Sequence, residues 1–501
     1  MKPSTVKISR APSRFKHQVP KYKVTRSDAC INCGTCARTC PYGVHERVEG
    51  HNRTRPPIDY KCIGFECQET DFYCVAKCPQ QALSLSLNPM YEALGDYRWT
   101  PDIITGTWIM AETGYPPERN DLEYNLGNSG GGFDKLRFNF PSQPPQVDRS
   151  EISTAIPLNR RNDGRANIVI STPVYGGGMS FGSVSLPTMI SKARMAVAWN
   201  TFTCTGEGGY PEMLQPYDDH VITQVATGLF GVREETIQRV RVVEFKYAQG
   251  AKPGLGGHLL GEKNTESVAR MREAVKGFPL FSPFPFHSVY SIEDHKKHID
   301  WIKEMNPNAL VSVKVSTPSD VDMVAVGSYY AGAHIIHIDG GYGGTGAAPD
   351  IAKKNIAMPI EYAIVKVHQF LKEEGVRDAM TLIASGGIRT AHDLAKAICL
   401  GADGAVIGTA ELIALECVRC GNCESGRGCA RGIASTDSEL SDLFGPDWAT
   451  QRLVNLYHAW NVQLVDILQK FGMRSVRELV GRTDLLEHLD YSRETELAYR
   501  G

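Results

Sequence analysis

The sequence contains no apolar run of the roughly 20 residues that a membrane-spanning helix needs. Its first residues also lack the apolar core of a secretory signal peptide. The net charge is −2 over 501 residues, which gives no excess of positive charge for nucleic acid or for a membrane surface. These absences predict a cytoplasmic protein that binds neither nucleic acid nor membranes.

Acidic residues are few before the first cysteine, whereas basic residues are frequent there. The basic residues are Lys2, Lys7, Arg10, Arg14, Lys16, Lys21, Lys23 and Arg26. A run of like charges usually forms a solvated, poorly ordered arm. We therefore predict a basic N-terminal arm over residues 1–27. The alternative is a docking segment for an acidic protein partner.

Cysteine is scarce outside three compact groups, since only Cys204 and Cys399 of the 14 cysteines stand alone. The first group has the spacing C-x2-C-x2-C-x3-C-P and the second group also ends in Cys-Pro. Their members are Cys30, Cys33, Cys36 and Cys40, and then Cys62, Cys67, Cys74 and Cys78. Clustered cysteines in a large chain without a signal peptide are typical of metal ligands rather than of disulfides.

The spacing of these two groups is typical of ferredoxins with two 4Fe–4S clusters, in which the last cysteine of each run binds the other cluster. We therefore predict a ferredoxin-like domain over residues 28–89 that passes single electrons. The predicted ligand sets are Cys30, Cys33, Cys36 and Cys78 for one cluster, and Cys40, Cys62, Cys67 and Cys74 for the other. Structural zinc and disulfides are the alternatives.

A third group of cysteines lies near the end of the chain. Its members are Cys417, Cys420, Cys423 and Cys429. Four thiols in so short a segment indicate a metal site, either a further iron–sulfur cluster or a zinc knuckle. The segment that follows, residues 438–501, contains helical patterns, so we predict a helical cap there.

The long central part of the chain has the pattern of an α/β protein. Residues 90–157 show no clear periodicity and predict an irregular linker. From Asn167 onward, short apolar β-rich runs alternate with amphipathic helical patterns, which predicts a parallel sheet buried on both faces. The length of this alternation fits a (β/α)8 TIM barrel better than an open sheet, and we place the barrel domain at residues 158–437.

Polar residues recur where the predicted strands end. They are Glu207, Lys252, Lys314, Asp339, Ser385 and Thr409. The carboxyl ends of barrel strands carry the chemistry of barrel enzymes, so these residues predict an active site. The turns Ser385-Gly386-Gly387 and Gly408-Thr409 each precede a helix, and their backbone amides are typical of the phosphate site of barrels that bind flavin mononucleotide, FMN. A separate NAD site is not expected, because the GGYGGTG run lacks the following helix of a dinucleotide fingerprint.

From Asn167 to Thr436 the sequence resembles the flavin-binding synthase domain of glutamate synthases. The shared stretches are GLFGVREETI, KYAQGAKPGLGGHLLG, HSVYSIEDHKKHI, VSVKVS, HIDGGYGGTGAAP and the cysteine segment ending GIAST. With its ferredoxin-like front, the whole chain is similar to the short archaeal-type glutamate synthase subunit. The resemblance implies an oxidoreductase in which electrons pass from iron–sulfur clusters to FMN and reduce 2-iminoglutarate, formed from 2-oxoglutarate and ammonia, to L-glutamate.

By motif, the resemblance implies catalytic roles for three residues. Lys314 would approach the N1 and O2 side of the flavin and stabilise charge on the reduced ring, with a buried ion pair as the alternative. Lys252 suits the carboxylate or imine end of the substrate, and Glu207 suits proton handling. The implied cofactor-binding residues are Lys314, Gly340, Gly341, Ser385, Gly386, Gly387, Gly408 and Thr409.

Three departures from the family pattern bear on these expectations. The family commonly has glutamine at the position of His258. Its cluster commonly uses three cysteines and is 3Fe–4S, whereas Cys420 is additional here, so the third cluster is either 4Fe–4S or 3Fe–4S. The chain has no glutamine amidotransferase domain and carries Lys2 where that domain has its catalytic cysteine, so we expect ammonia from solution or from a separate glutaminase subunit.

The electron donor is expected to be a reductase subunit that oxidises NADPH, or a free ferredoxin. Two alternative functions stay open. The same barrel could act on another amine, as in N-methylglutamate synthase. The chain could instead be an electron-transfer subunit of a larger complex, with a barrel that only carries FMN.

Overall fold

The computed structural model describes residues 6–14, 19–117, 124, 127, 131–257, 259–282, 286, 289–344, 346, 348–349, 351–353, 355–424 and 427–491. His258 lies outside these residues, so its predicted effect on the site stays a prediction. Parts of the predicted arm, linker and helical cap also lie outside them.

The cysteine-rich module is built on one small antiparallel sheet. Strand β1, Tyr22–Arg26, pairs with strand β2, Leu83–Leu87, so the two ends of the module meet. Helix α1, Thr35–Thr39, lies between them. The buried apolar core of the module consists of Val24, Val44 and Leu83. So small a core cannot stabilise the module alone, which is why its cysteines and the groups they bind must contribute.

The segment predicted as an irregular linker contains regular elements. They are helix α2, Pro89–Glu92, helix α3, Pro101–Thr113, strand β3, Leu136–Phe138, and strand β4, Ile156–Pro157, which pairs with β5, Val169–Ile170, at the start of the predicted barrel domain. Helix α3 begins with Pro101 and ends at Gly114, which has a left-handed conformation (φ 82°), and both are common boundary residues. The periodicity of α3 is weak because its buried face includes small and polar residues such as Gly106 and Thr107.

Eight parallel strands form a closed barrel, which confirms the predicted fold class. They are β6, Val174–Gly176, β7, Thr203–Cys204, β8, Val221–Ala226, β9, Val242–Lys246, β10, Leu310–Ser316, β11, Ile335–Asp339, β12, Thr381–Ser385, and β13, Gly404–Ile407. Strand β13 pairs with β6, and the Gly176 N–H donates to the carbonyl of Phe202 (2.9 Å), which closes the barrel between β6 and β7. Every residue of these strands is buried.

Helices surround the barrel between its strands. They are α4, Leu186–Ala198, α5, Glu234–Arg239, α6, Glu266–Arg272, α7, Ile292–Met305, α8, Val321–Ala331, α9, Ile360–Glu373, α10, Ala391–Leu400, and α11, Thr409–Ala414. The side chains of Ser291 and Thr390 cap α7 and α10, because each accepts a hydrogen bond from the backbone of the first turn. No helix in the described part of the chain combines the length and the hydropathy that a membrane crossing needs.

The chain ends in short helix α12, Ser438–Ser441, long helix α13, Pro446–Phe471, and strand β14, Leu486–His488, which pairs with β3. Helix α13 packs against α3 and α4 and joins the same apolar core as the barrel. The expected helical extension is therefore present.

Residues 6–14 correct the expectation of a solvated arm, because they dock on α13. The buried Arg452 donates to the carbonyl of Ala11 (2.8 Å), and Asn455 donates to the carbonyl of Ser9 (2.9 Å). Arg14 donates to the carboxylate of Glu416 (3.1 Å). Two of these contacts are to backbone carbonyls and one is to a carboxylate. The number of charges in a segment cannot predict such contacts.

Candidate active site

Three loops meet backbone to backbone at the carboxyl ends of β9, β11 and β12. A Cβ added to Gly250 would lie 1.8 Å from the carbonyl oxygen of Gly340, and one added to Gly386 would lie 2.4 Å from the same oxygen. Only glycine permits this approach, so the sequence places three glycines where the loops stack. The stacked loops bring the side chains of neighbouring residues to one end of the barrel.

Lys314 and Asp339 form a buried ion pair at this end of the barrel, with 3.8 Å between Nζ and Oδ2. Burial alone would lower the pKa of Lys314, but the carboxylates of Asp339 and Glu244 outweigh burial and raise it. Asp339 also accepts hydrogen bonds from Ser385 Oγ (2.6 Å) and from the Gly250 N–H (2.8 Å). A charged lysine is therefore held in place on the strand where the sequence predicted one.

Glu207 is buried among cations. Its Oε2 accepts from Lys246 Nζ (2.6 Å) and from the Gly257 N–H (2.8 Å). Burial alone would raise the pKa of Glu207, but Lys246, this hydrogen bond and the nearby Lys252 lower it overall. The loop after β9 therefore brings Lys252 close to Glu207, and both were predicted site residues. The sequence analysis missed Lys246.

Arg272, the last residue of α6, was also missed by the sequence analysis. It is 4% exposed, and its Nη2 donates to Ser180 Oγ (3.1 Å). Its Nε and Nη1 are buried without a hydrogen-bond partner. Burial lowers the pKa of Arg272, and Glu207 acts in the opposite direction. Lys246, Lys252 and Arg272 thus form a group of three cations around one carboxylate, which suits an anionic ligand with acceptor oxygens.

The predicted phosphate loops leave their backbone open after β12 and β13. Gly386 and Gly387 adopt positive φ angles of 88° and 124°, which exposes their backbone between β12 and α10. Gly408 precedes α11, and a Cβ added there would meet nothing within 4 Å. Thr409 Oγ1 and Arg419 Nη1 lie 2.9 Å and 2.8 Å from the point where a Cβ on Gly344 would stand. Open backbone next to a hydroxyl and a guanidinium fits the phosphate of FMN.

Further polar side chains lie deeper in the barrel, on strands that are otherwise apolar. Glu244 on β9 is fully buried and contacts Gln224, Ser312 and His337 on three other strands. Burial alone would raise the pKa of Glu244, but His337 and the other contacts lower it to about 2. The sequence signal was available, since Glu244 and Lys246 occupy alternate positions of one strand and therefore share a face.

The ferredoxin-like module brings its cysteines together in two sets. One cavity is lined by Cys30, Cys33, Cys36 and Cys78. A second cavity is lined by Cys40, Cys62, Cys67 and Cys74. These are the two crossed sets that the spacing predicts. Among the described residues, no group of three histidine, cysteine or carboxylate side chains is arranged to bind a single metal ion.

The third cysteine group lies beside the barrel and touches the segment that leads out of the ferredoxin-like module. The thiols of Cys423 and Cys429 are close enough to Cys417 to raise its pKa, although burial contributes most, and the resulting pKa is about 11. Cys420 is exposed. The Gly95 N–H donates to the carbonyl of Val418 (3.3 Å) within this group. The segment that follows the module therefore contacts the third cysteine group directly.

Comparison with known proteins agrees with this layout. The conserved region in glutamate synthase matches residues 137–474, and a 4Fe-4S dicluster domain matches residues 22–79. The chain is 37% identical to the archaeal-type glutamate synthase [NADPH] of Thermotoga maritima, over 93% of this chain and 94% of that protein. It is 36% identical to the archaeal glutamate synthase [NADPH] of Methanocaldococcus jannaschii, over 96% and 98% of the two chains.

The matching region also occurs within longer proteins. The glutamate synthase [NADPH] large chain of Azospirillum brasilense is 38% identical over 71% of this chain and 23% of its own length. Among solved structures, the flavin-binding domain of baker's yeast flavocytochrome b2 covers 74% of this chain and 81% of its own, at 16% identity and a TM-score of 0.44, a likeness that bears on neither substrate nor cofactor. From the family match and the near full-length relatives, the chain belongs to the glutamate synthase family.

Proposed function

We propose that this protein is a glutamate synthase that makes L-glutamate from 2-oxoglutarate and ammonia. The observation that carries the proposal is the group of three buried cations around Glu207, next to loops that fit the phosphate of FMN. 2-Oxoglutarate and its imine carry two carboxylates, so they need cations at the site. Bound FMN would supply the hydride that reduces the imine carbon.

Arg272 and Lys252 bind and orient the substrate in this proposal. The Nε and Nη1 of Arg272 have no partner and lie on different edges of the guanidinium, so a carboxylate of the substrate would accept a hydrogen bond from one of them. Lys252 contacts the other end of the substrate. Lys246 keeps Glu207 ionised and in place through their 2.6 Å contact. Ionised Glu207 would accept a hydrogen bond from the protonated imine nitrogen and hold it in place while hydride adds to the carbon, so that the amine forms without a further proton from the carboxylate.

Lys314 acts at the flavin end of the site. Its raised pKa keeps the ammonium charged inside the barrel, where it would stabilise negative charge on the reduced ring. Asp339, oriented by Ser385, holds this ammonium in position.

The open backbone of Gly386 and Gly387, with Thr409 after the next strand, would hold the phosphate. Gly340 and Gly341 would bring the neighbouring loop close to the ring.

The cysteine sets would hold iron–sulfur clusters that carry electrons towards the barrel. Each cavity of the ferredoxin-like module would hold one 4Fe–4S cluster, because four cysteines line each of them. A third cluster would be held by the cysteine group at 417–429, which the segment leading out of this module contacts at Val418. We assign its ligands to Cys417, Cys423 and Cys429, because the thiols of Cys423 and Cys429 lie close to the buried Cys417, whereas Cys420 is exposed. Three ligands favour 3Fe–4S at this position.

The relatives named above are NADPH glutamate synthases, so we propose a reductase that oxidises NADPH as the electron donor, with a ferredoxin as the alternative. Ammonia would come from solution or from a separate glutaminase subunit. We also propose that the protein works in the cytoplasm.

The test is an anaerobic assay of the purified protein with bound FMN and iron–sulfur clusters. Reduced viologen, 2-oxoglutarate and ammonium are expected to yield L-glutamate, with no glutamate when 2-oxoglutarate is left out. A protein that holds FMN and its clusters but forms no glutamate would contradict the proposal. If methylamine outcompetes ammonium, the enzyme belongs with N-methylglutamate synthase instead.

A further inference from the structure

A chain of hydrogen bonds crosses the interior of the barrel beneath Lys314. It runs from Gln224 on β8 through Glu244 on β9 and His337 on β11 to Ser385 on β12 and ends at Asp339. Layers of apolar side chains normally fill the interior of such a barrel. A polar layer at this depth costs stability unless all its members are satisfied, which points to a role in the site above it.

The distances define which atoms meet. His337 Nδ1 lies 3.1 Å from Glu244 Oε2, and His337 Nε2 lies 2.7 Å from Ser385 Oγ. Glu244 also accepts from Gln224 Nε2 (2.6 Å) and from Ser312 Oγ (2.9 Å).

The directions of these hydrogen bonds fix the number of protons. Asp339 pairs with Lys314 and is ionised, so Ser385 must donate its hydroxyl proton to Asp339. Ser385 Oγ can then only accept from His337, which places a proton on Nε2 of the ring. A contact between Nδ1 and a carboxylate oxygen of Glu244 also needs one proton between them. Either the ring is doubly protonated beside a carboxylate, or a neutral ring accepts from a protonated Glu244.

Both alternatives give the Glu244–His337 pair a net charge of zero. Loss of the shared proton would leave one negative charge inside the barrel and would turn the lone pair of Nδ1 towards a carboxylate. The other groups that face Glu244 are Lys314, the thiol of Cys204 and the hydroxyl of Tyr175. Lys314 is therefore the charge that would feel the change most directly.

We propose that Glu244 and His337 are positioning residues that share one stored proton, and that this proton keeps a second negative charge, beyond that of Asp339, from facing Lys314 at the flavin site. The inference rests on the proposed function only in taking FMN as the ligand of this end of the barrel. Through Ser385, the same pair fixes the orientation of Asp339 and so of the Lys314 ammonium.

The test is the midpoint potential of bound FMN in the full-length protein, measured anaerobically between pH 6 and pH 10 in the wild type and in Glu244→Gln. The wild type should lose its stored proton towards high pH. The negative charge left behind should weaken binding of reduced FMN about tenfold relative to oxidised FMN, or about 30 mV for a two-electron couple. In Glu244→Gln the amide can donate to a neutral His337, so no proton is stored. The additional fall of the midpoint potential at high pH should therefore be absent.

Ser312→Ala is the matched control, because it removes a donor to Glu244 but leaves the shared proton, so the alkaline fall should remain. If Glu244→Gln fails to bind FMN, His337→Gln replaces it. The proton would then sit on Glu244 alone, and the fall should move to lower pH. Identical pH profiles in the wild type and in the variant that binds FMN would overturn the proposal. Glutamate formation by the wild type is measured separately, so failure of one proposal does not imply failure of the other.

Discussion

Replacing Arg272 with methionine separates substrate binding from folding in one variant. The methionine side chain has a similar length and no charge, so it can fill the space of the arginine stem. In the substrate-free protein, Arg272 is 4% exposed and has two buried nitrogens without partners. No other arginine in the described part of the chain leaves two nitrogens in this state. The substitution should therefore improve the stability of the free protein while it weakens substrate binding.

The magnitudes follow from hydrogen bonds to charged groups, which contribute about 1.5–3 kcal/mol each. Loss of one such contact in Arg272→Met should raise the KM for 2-oxoglutarate by about 10- to 150-fold, since 1.4 kcal/mol corresponds to a factor of ten. A buried donor without a partner costs about 1–3 kcal/mol. The substitution also removes the hydrogen bond to Ser180, which offsets part of this gain. The free energy of unfolding should therefore rise by about 1 kcal/mol.

The assay is steady-state kinetics with reduced viologen, in which 2-oxoglutarate and ammonium are varied separately, together with thermal unfolding of the substrate-free protein. Arg270→Met is the control, because Arg270 is exposed on the same helix. An unchanged KM for 2-oxoglutarate in Arg272→Met would refute the substrate role. An equal increase of both KM values with a lower unfolding temperature would show that Arg272 serves the fold instead.

Three further predictions concern the cysteine sets and stability. Cys78→Ser should remove one 4Fe–4S cluster and about four iron atoms per chain while the other cluster keeps its electron paramagnetic resonance signal; loss of both signals would contradict separate cavities. Cys420→Ser should leave the spectrum of the third cluster unchanged, and a lost signal would make Cys420 a ligand. Ionised Glu244 has a pKa of about 2 in the folded protein against about 4.3 unfolded, so its contribution to stability is complete above about pH 4.3 and is lost as the pH falls towards 2. Glu244→Gln should flatten the acid limb of unfolding temperature against pH, and an unchanged limb would count against an ionised Glu244.

The parts of this protein that local sequence determines were predictable. The two cysteine runs have fixed spacings, and the structure places Cys40 and Cys78 in the cavities of the opposite sets, as predicted. The alternation of strand and helix patterns is also a local feature of the sequence, and it predicted the barrel. Lys314, Ser385 and Thr409 lie near or just beyond the ends of their strands. Because the carboxyl ends of parallel strands meet at one edge, the sequence could predict that these residues share one end of the barrel.

Other features depend on packing between distant segments and had no local signal. Arg272 ends a helix like many surface arginines. It is buried because the loop at Gly208 packs on it, where an added Cβ would lie 2.9 Å from Nε. The docking of residues 6–14 on α13 likewise depends on contacts between the two ends of the chain. Glu244 and His337 had a weaker signal, since each occupies a position on the interior face of a barrel strand.

The buried charges of the barrel show where a ligand is needed. Lys192 pairs with Glu411, and Arg389 binds both Asp134 and Asp393, so these cations are balanced by the protein itself. A buried charge is tolerated only when it is paired and its hydrogen bonds are made. Arg272 meets neither condition fully, because Glu207, the carboxylate that faces it, is already bound by Lys246. The substrate-free protein therefore carries an electrostatic cost at Arg272, and in the proposed function a dianionic substrate would remove that cost when it binds.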